Sequence, residues 1–373
     1  MITALKIATL SAAIESVFAA YGVAVQRQAA SVTPCTIRFR YAQLPCQPAA
    51  HLDSLRNELA KAVAGLACRV ASDRDHLSIE LSRSHPSQVL LRDLSAGPKA
   101  RVSEGSATLG IDQEGQPIVI DLMGHGPRHV LIYGSRGCGK TALARTMALS
   151  LASHSRPRQL MLVPIVSSRS DWTALEPLPN VAHLHVGDDS ATLSALRWLD
   201  NEMTSRAQGT SLPRLVVVVD DLERAAENAG AEGQHLLAQL VRHGDQAGIS
   251  VIVCAQSPAA LQSTGMDPLD FPVRVIGFVA LETEAEYATG LLGSGAQHLL
   301  SRGDFLLIAQ GQCTRFCVAY ISPSDASQVA ATLSARQSTF PQRTTNASIT
   351  TGRPWTRSPA LPLASPRSSL SRG

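Results

Sequence analysis

Eight residues, Gly134-Ser135-Arg136-Gly137-Cys138-Gly139-Lys140-Thr141, follow a short apolar run and precede a helix-forming stretch. They fit the pattern G-x-x-x-x-G-K-[ST] in the strand-to-helix context that the pattern requires. The glycines let consecutive backbone N–H groups face inward, and the helix start adds positive potential. Lys140 carries a cation to terminal phosphates, and Thr141 offers a hydroxyl to Mg²⁺. An anion shaped like the triphosphate of ATP suits such a loop; a purely structural glycine-rich turn is the bland alternative. Arg136 and Cys138 occupy variable slots, and nothing in the sequence lowers the Cys138 thiol pKa, so it reads as a small filler.

A phosphate loop needs a metal-holding carboxylate at the end of a neighbouring strand. The apolar run Leu215 to Val219 ends in Asp220 and Asp221. Asp220 is placed to hold Mg²⁺, and Asp221 stands where a general base polarising the attacking water would sit. The competing reading is a helix-capping acid pair after a core strand. The next apolar run, Ser250 to Cys254, delivers Gln256 at its carboxyl end, the edge where ligands gather in open α/β sheets. Gln256 is the candidate sensor of a terminal phosphate or water, although a polar residue after a strand is commonplace in turns.

These runs belong to a longer alternation. His129 to Tyr133, Gln159 to Val166, Leu215 to Val219, Ser250 to Cys254 and Val273 to Val279 are uniformly apolar, as strands buried on both faces of a parallel sheet are. Helical stretches fall at Thr141 to Ala152, Ala191 to Ala207 and Glu232 to Gln246, and a hairpin is expected around Gln310-Gly311-Gln312. Before them, residues 1–100 mix a helical opening, a second helix from His51 to Leu66, and alternating strands at Cys35 to Tyr41 and His76 to Leu81. The expected organisation is a small α+β domain (1–100), an α/β domain with helices on both faces of a mainly parallel sheet (101–335), and a disordered Ser/Thr/Pro/Arg-rich tail (336–373).

The 373 residues are 45% apolar and 17% charged, which excludes a coiled-coil, collagenous or wholly disordered chain. Six Arg and no acid lie from Arg336 onward, so the rest of the chain carries −3 of the net +3. The tail is therefore a solvated terminus or a basic arm for nucleic acid. Seven scattered cysteines without a C-x-x-C pair argue against a disulfide framework and for a reducing compartment, with Cys313 and Cys317 as packing residues. His183 and His185, two apart on an expected strand, lack further ligand types nearby and are set aside as metal ligands. Lys6 and Glu15 interrupt the apolar opening, which reads as an amphipathic helix rather than a signal peptide, and no run reaches the roughly 18 apolar residues of a membrane span.

Beyond the loop, the chain from Leu10 to Val329 resembles the FtsK/SpoIIIE family of hexameric DNA translocases. The likeness is carried by Leu109-Gly110-Ile111-Asp112 with Gly115, Pro117 and Asp121-Leu122, and by Ala195-Leu196-Arg197-Trp198 with Glu202-Met203 and Arg206. Ala247 to Pro258 and Gly295 to Leu306 extend it. The resemblance implies a RecA-like P-loop NTPase that binds ATP and Mg²⁺ and forms a cytoplasmic homo-oligomeric ring, hexameric in the family. It further implies double-stranded DNA moved or held in a central channel, as in chromosome partition, with hydrolysis at subunit interfaces. The small domain before the motor has its counterpart in residues 1–100.

The departures are specific. Asp221 stands for the family's Walker B Glu, Ala255 and Ser257 replace the Thr and Arg flanking Gln256, and Asp245 and Glu286 occupy expected Arg positions. An arginine finger contributes orders of magnitude to turnover, so slow hydrolysis is expected unless Arg242, Arg274 or Arg302 substitutes. Two other readings follow from the resemblance: an ATPase of type VII secretion, and a catalytically weak nucleotide-binding scaffold that assembles with an active homologue or a membrane-bound partner.

Overall fold

A computed structural model describes residues 4–43, 52–63, 65–66, 68–72, 76–83, 87–95, 102–124, 128–182, 185–186, 189–206, 213–299 and 302–338. The expected disordered tail and His183 lie outside them, and the side chain of His185 is likewise not described.

The amino-terminal part comprises α1 (Ala4–Ala20), β1 (Val25–Val32), β2 (Thr36–Gln43), α2 (Leu52–Ala62), β3 (Cys68–Ser72) and β4 (His76–Ser82). Its strands form an antiparallel sheet ordered β1-β2-β4-β3. In α1, Leu10, Ile14 and Phe18 recur every fourth residue, so they share one face and enter the core with Phe39, Tyr41, Leu59 and Ile79. Phe18 meets Tyr41 edge to face at 5.3 Å.

The larger part contains β5 (Val89–Leu90), α3 (Leu91–Ser95), β6 (Ser106–Asp112), β7 (Pro117–Asp121), β8 (Val130–Tyr133), α4 (Lys140–His154), β9 (Leu160–Val166), α5 (Arg169–Trp172), β10 (His185–Val186) and α6 (Asp189–Arg206). It continues with β11 (Arg214–Asp220), α7 (Leu222–His243), β12 (Ile249–Ala255), α8 (Pro258–Ser263), β13 (Val273–Ile276), α9 (Glu282–Thr289), β14 (Asp304–Ala309), β15 (Gln312–Tyr320) and α10 (Pro323–Ser338). Its sheet is ordered β10-β9-β11-β12-β8-β13-β14-β15-β6-β7, with β5 paired to β15. From β10 to β13 neighbours run parallel; β14, β15, β6 and β7 extend the sheet in antiparallel fashion.

Alternate residues of the apolar strands enter two cores. Val130, Ile132, Val216 and Val218 face α4 and α10, whereas Leu131, Tyr133, Val217 and Val219 face α6 to α9. Each such fully buried side chain contributes about 1.5–3 kcal/mol. Burial on both faces is why these strands show no polar alternation. The β14–β15 hairpin turns on Gln310 and Gly311, both at positive φ (52° and 75°), with Ala309 opposite Gln312.

The two sheets meet across buried ion pairs. Arg315 on β15 grips Asp304 with two bonds, Nε to Oδ1 at 2.8 Å and Nη2 to Oδ2 at 2.6 Å, and its Nη1 reaches Glu80 on β4. Arg69 on β3 donates to Glu80 Oε2 at 2.9 Å and to the Ser294 carbonyl at 3.0 Å. The polar side of the β4 alternation is thus covered rather than solvated. Burial pushes both guanidinium pKa values down, that of Arg315 the further.

One expectation is overturned here. Cys35, in the β1–β2 turn, is bonded to Cys317 on β15, 282 residues away. Local spacing registers only local pairs, so the scatter of cysteines could not reveal a link made by the docking of two sheets. Among the described residues no helix is long and apolar enough to cross a membrane.

Two stability predictions follow from buried groups. Glu80→Gln leaves two buried guanidinium groups sharing one carboxylate, and chemical denaturation is expected to show a loss of about 3–5 kcal/mol. His129, directly before β8, accepts a hydrogen bond from the Val251 amide of β12 at Nδ1 (3.1 Å), and burial pushes its pKa down from 6.5 to about 4. Between those values only the unfolded chain takes up the proton, so stability falls as pH falls through the window, by about 3 kcal/mol at 1.36 kcal/mol per unit. His129→Asn keeps an acceptor without that titration; denaturation midpoints of the variant should vary less than the parent's between pH 6.5 and 4.

Candidate functional site

Strand order assembles the site. β12 lies between β8 and β11, so Gln256 emerges between the glycine-rich loop and the two acids, all at the carboxyl edge of the parallel strands. Asp220 is thus one strand removed from the loop strand rather than its direct neighbour.

The loop is anchored from both sides. Gly134 N donates to Ala255 O (3.2 Å), and Ser135 N donates to Phe278 O (2.7 Å). Behind it, Gly303 N donates to Cys138 O at 2.9 Å. A Cβ on Gly277 would stand 2.8 Å from Cys138 Sγ, which shows how closely the loop is backed. The Cys138 thiol is buried, and burial pushes its pKa up, as suits a filler rather than a reactive group. Gly137 and Gly139 sit at φ 85° and 112°, left-handed values that a side chain would strain. Gly139 is the N-cap of α4 and supplies no side-chain cap, leaving the first amides of α4 to the cavity.

That cavity, about 870 Å³, is lined by Arg136, Gly137, Gly139, Lys140 and Thr141 on the loop side and by Asp220, Asp221, Glu223 and Gln256 opposite. Lys140 Nζ folds back on the carbonyls of Gly134 (2.7 Å) and Ser135 (3.2 Å). Thr141 Oγ1 donates to Asp220 Oδ1 at 3.0 Å, and Trp172 Nε1 donates to Asp220 Oδ2 at 3.0 Å. Asp220 is 5% exposed, and burial lifts its carboxyl pKa, with the Trp172 and Thr141 hydrogen bonds pulling the other way. Among the described residues no three His, Cys, Asp or Glu side chains cluster as a metal set. A divalent cation here would rest on Asp220 and Thr141 together with phosphate oxygens, and the residues present fit that arrangement.

Asp221 is placed differently from Asp220. Its backbone is left-handed (φ 74°, ψ 76°), and its side chain caps α7 by accepting from Arg224 N at 3.3 Å. Glu223, which sequence reasoning passed over, lines the cavity beside Asp221: its Oε1 accepts from the amides of Gln256 (2.9 Å) and Ser257 (3.0 Å) and from Ser257 Oγ (3.2 Å). In the sequence Glu223 looks like any acid in the first turn of a helix. Trp172 was equally silent, since its bond to Asp220 joins residues 48 apart.

The arginine question resolves residue by residue. Asp245 pairs with Arg128 (2.8 Å) and Arg214 (3.5 Å), a place no arginine can take. Arg242 and Arg274 hold backbone carbonyls, of Gly265 and of Phe271 and Thr289 respectively. Arg302 lies at the loop of its own chain, with Nε 3.3 Å from Gly137 O.

With this geometry in hand, residues 90–212 match the FtsK/SpoIIIE family. The DNA translocase FtsK of Bradyrhizobium diazoefficiens is 25% identical over 355 residues, covering 81% of this chain and 42% of that protein. The chain spans 65% and 38% of the lengths of two further FtsK relatives. Among solved structures, EssC (ATPases 2 and 3) from Geobacillus thermodenitrificans superposes with a TM-score of 0.57 at 17% identity, over 69% of this chain and 53% of that one. The pCW3 conjugation coupling protein TcpA, solved with ATPγS, gives 0.54 at 16% identity over 87% and 99%. Both likenesses show the fold, that of P-loop ATPases. The glycine-rich loop, α4 and the approach from Leu109 to Leu122 all fall inside the matched segment, and over that segment the chain is similar to the FtsK/SpoIIIE family.

Proposed function

We propose that this chain is an ATP-binding, ring-forming translocase of FtsK/SpoIIIE type that moves or holds double-stranded DNA in the cytoplasm, with Mg²⁺ as the metal and hydrolysis at subunit interfaces. The observation that carries the nucleotide part is the juxtaposition of the uncapped start of α4 and Lys140 with the Thr141–Asp220 pair across one cavity. Gly134 to Gly139 would cradle the phosphates, Lys140 would neutralise the terminal ones, Thr141 and Asp220 would hold the cation, and Gln256 would sense the γ-phosphate. Mg²⁺ supplies charge neutralisation between the phosphate oxygens. DNA as the substrate is supported by the relatives' activity and by the small sheet docked ahead of the motor. The division into leader (1–100), motor (101–335) and tail (336–373) belongs to the same reading, with the six tail arginines adding a salt-sensitive phosphate contact.

ATP turnover by the purified chain, measured with and without linear duplex DNA, tests this directly. DNA should raise turnover, and Lys140→Ala should lower it at least a hundredfold. Turnover indifferent to DNA would point to secretion instead, and binding without turnover would leave a scaffold. Asp245→Arg, which sets a third cation beside Arg128 and Arg214, should lower stability by about 1–2 kcal/mol in denaturant melts and should not raise turnover.

A further inference from the structure

The carboxylate at the attacking-water side of the site deserves reassignment on geometry. Asp221 is short, its backbone is left-handed, and its side chain is engaged by the Arg224 amide as the cap of α7. A side chain that holds a helix start is bound to that place. Glu223, two residues on, reaches across to the end of β12. There Oε1 receives three donors, the Gln256 and Ser257 amides and Ser257 Oγ, which fix the carboxylate in one orientation. Its other oxygen, Oε2, is buried and accepts no hydrogen bond from the described residues. Glu223 also lines the same cavity as Lys140, Asp220 and Gln256.

We propose that Glu223, rather than Asp221, is the general base of ATP hydrolysis in this chain; the assignment rests on the ATPase reading above. A carboxylate with one oxygen tied by three donors and one oxygen free has the preorganisation a base requires. The fixed oxygen prevents rotation, and Oε2 has no protein donor that a water proton would have to displace. In the step, the water oxygen forms a bond to the γ-phosphorus, and its proton passes to Glu223 Oε2. The bond between the γ-phosphorus and the bridging oxygen breaks, and that electron pair leaves with ADP. Inorganic phosphate departs, and the proton is returned to solvent. No oxidant or further reactant is needed.

A purely structural Glu223, one that only pins the Gln256–Ser257 turn, makes a different forecast. E223Q keeps a carbonyl oxygen able to accept from both amides and Ser257 Oγ, so a structural role survives the change, whereas a basic one does not. The experiment compares wild type, E223Q and D221N in full-length protein by DNA-stimulated ATP turnover, by equilibrium binding of Mg·ATP, and by identifying the nucleotide that copurifies after incubation with ATP. The assignment expects E223Q to lose at least a hundredfold in turnover, to bind ATP within threefold of wild type, and to retain ATP where wild type yields ADP. D221N, whose amide oxygen keeps the cap of α7, should lose less than tenfold in turnover. Wild-type turnover that E223Q leaves within threefold, or that D221N alone abolishes, overturns the assignment while the ATPase reading stands. Wild-type protein that binds ATP but turns none over, with or without DNA, overturns the hydrolysis reading and this assignment with it; protein that binds no ATP removes the nucleotide reading itself.

Discussion

The chain leaves β11 for α7 through a single non-glycine residue in the left-handed region, Asp221, and the carboxyl edge of the sheet is arranged around that turn. Left-handed backbone costs an ordinary residue on the order of 1 kcal/mol, a penalty that Asp tolerates because its short side chain bonds locally. The turn leaves Asp220 on the strand, buried against Trp172 and Thr141, and throws Asp221 outward to cap the helix. At the second position of α7, Glu223 then points back to the end of β12. A glutamate at position 221 would be a poor cap. The substitution that looked like a shortened catalytic acid is therefore, in this fold, a capping residue.

The glycine-rich loop is also held from behind, and this links it to the small amino-terminal sheet. Gly303 N bonds Cys138 O, and the next residue, Asp304, is clasped by Arg315, whose remaining nitrogen meets Glu80 of β4. The path from loop to leader is thus two residues of backbone and one buried ionic cluster. Buried pairs of this kind add little net stability over an apolar replacement, yet they fix one relative placement of the groups they join. Cys35 is bonded to Cys317 and Glu80 meets Arg315, so the same strand receives the small amino-terminal sheet at two points.

Much of the larger sheet was legible because its parallel strands are buried on both faces and so read as unbroken apolar runs. The loop and Asp220 were legible because their chemistry requires particular residue types at particular spacing. What escaped was set by contacts between distant segments. Glu80 sits in a strand whose alternation suggests a solvated face, and only the docking of β15 covers it. Cys35 and Cys317 meet for the same reason. Glu223 carries no motif, because its role comes from the amides of a strand end 33 residues later. Gly230, with φ 61° and ψ −168°, breaks the helical course of α7 where the sequence suggested a helix beginning only at Glu232.

Asp220 shows why burial and charge must be weighed together at this edge. It is enclosed, its two oxygens receive neutral donors, and burial raises its carboxyl pKa. Neutral hydrogen bonds offset only part of the cost of desolvating a carboxylate. The remainder can be relieved either by a proton or by a cation. Cys254, beside it and fully buried, stays a thiol because burial and the Asp220 charge push its pKa up, and its hydrogen bond to Asp220 offsets only part of the cost. The two ways of satisfying Asp220 are therefore competitors. A divalent cation brought in by phosphate would have to displace the tendency to protonate, so its affinity must weaken as pH falls. An exposed aspartate would bind the same cation with less of this coupling, and would gain less from it.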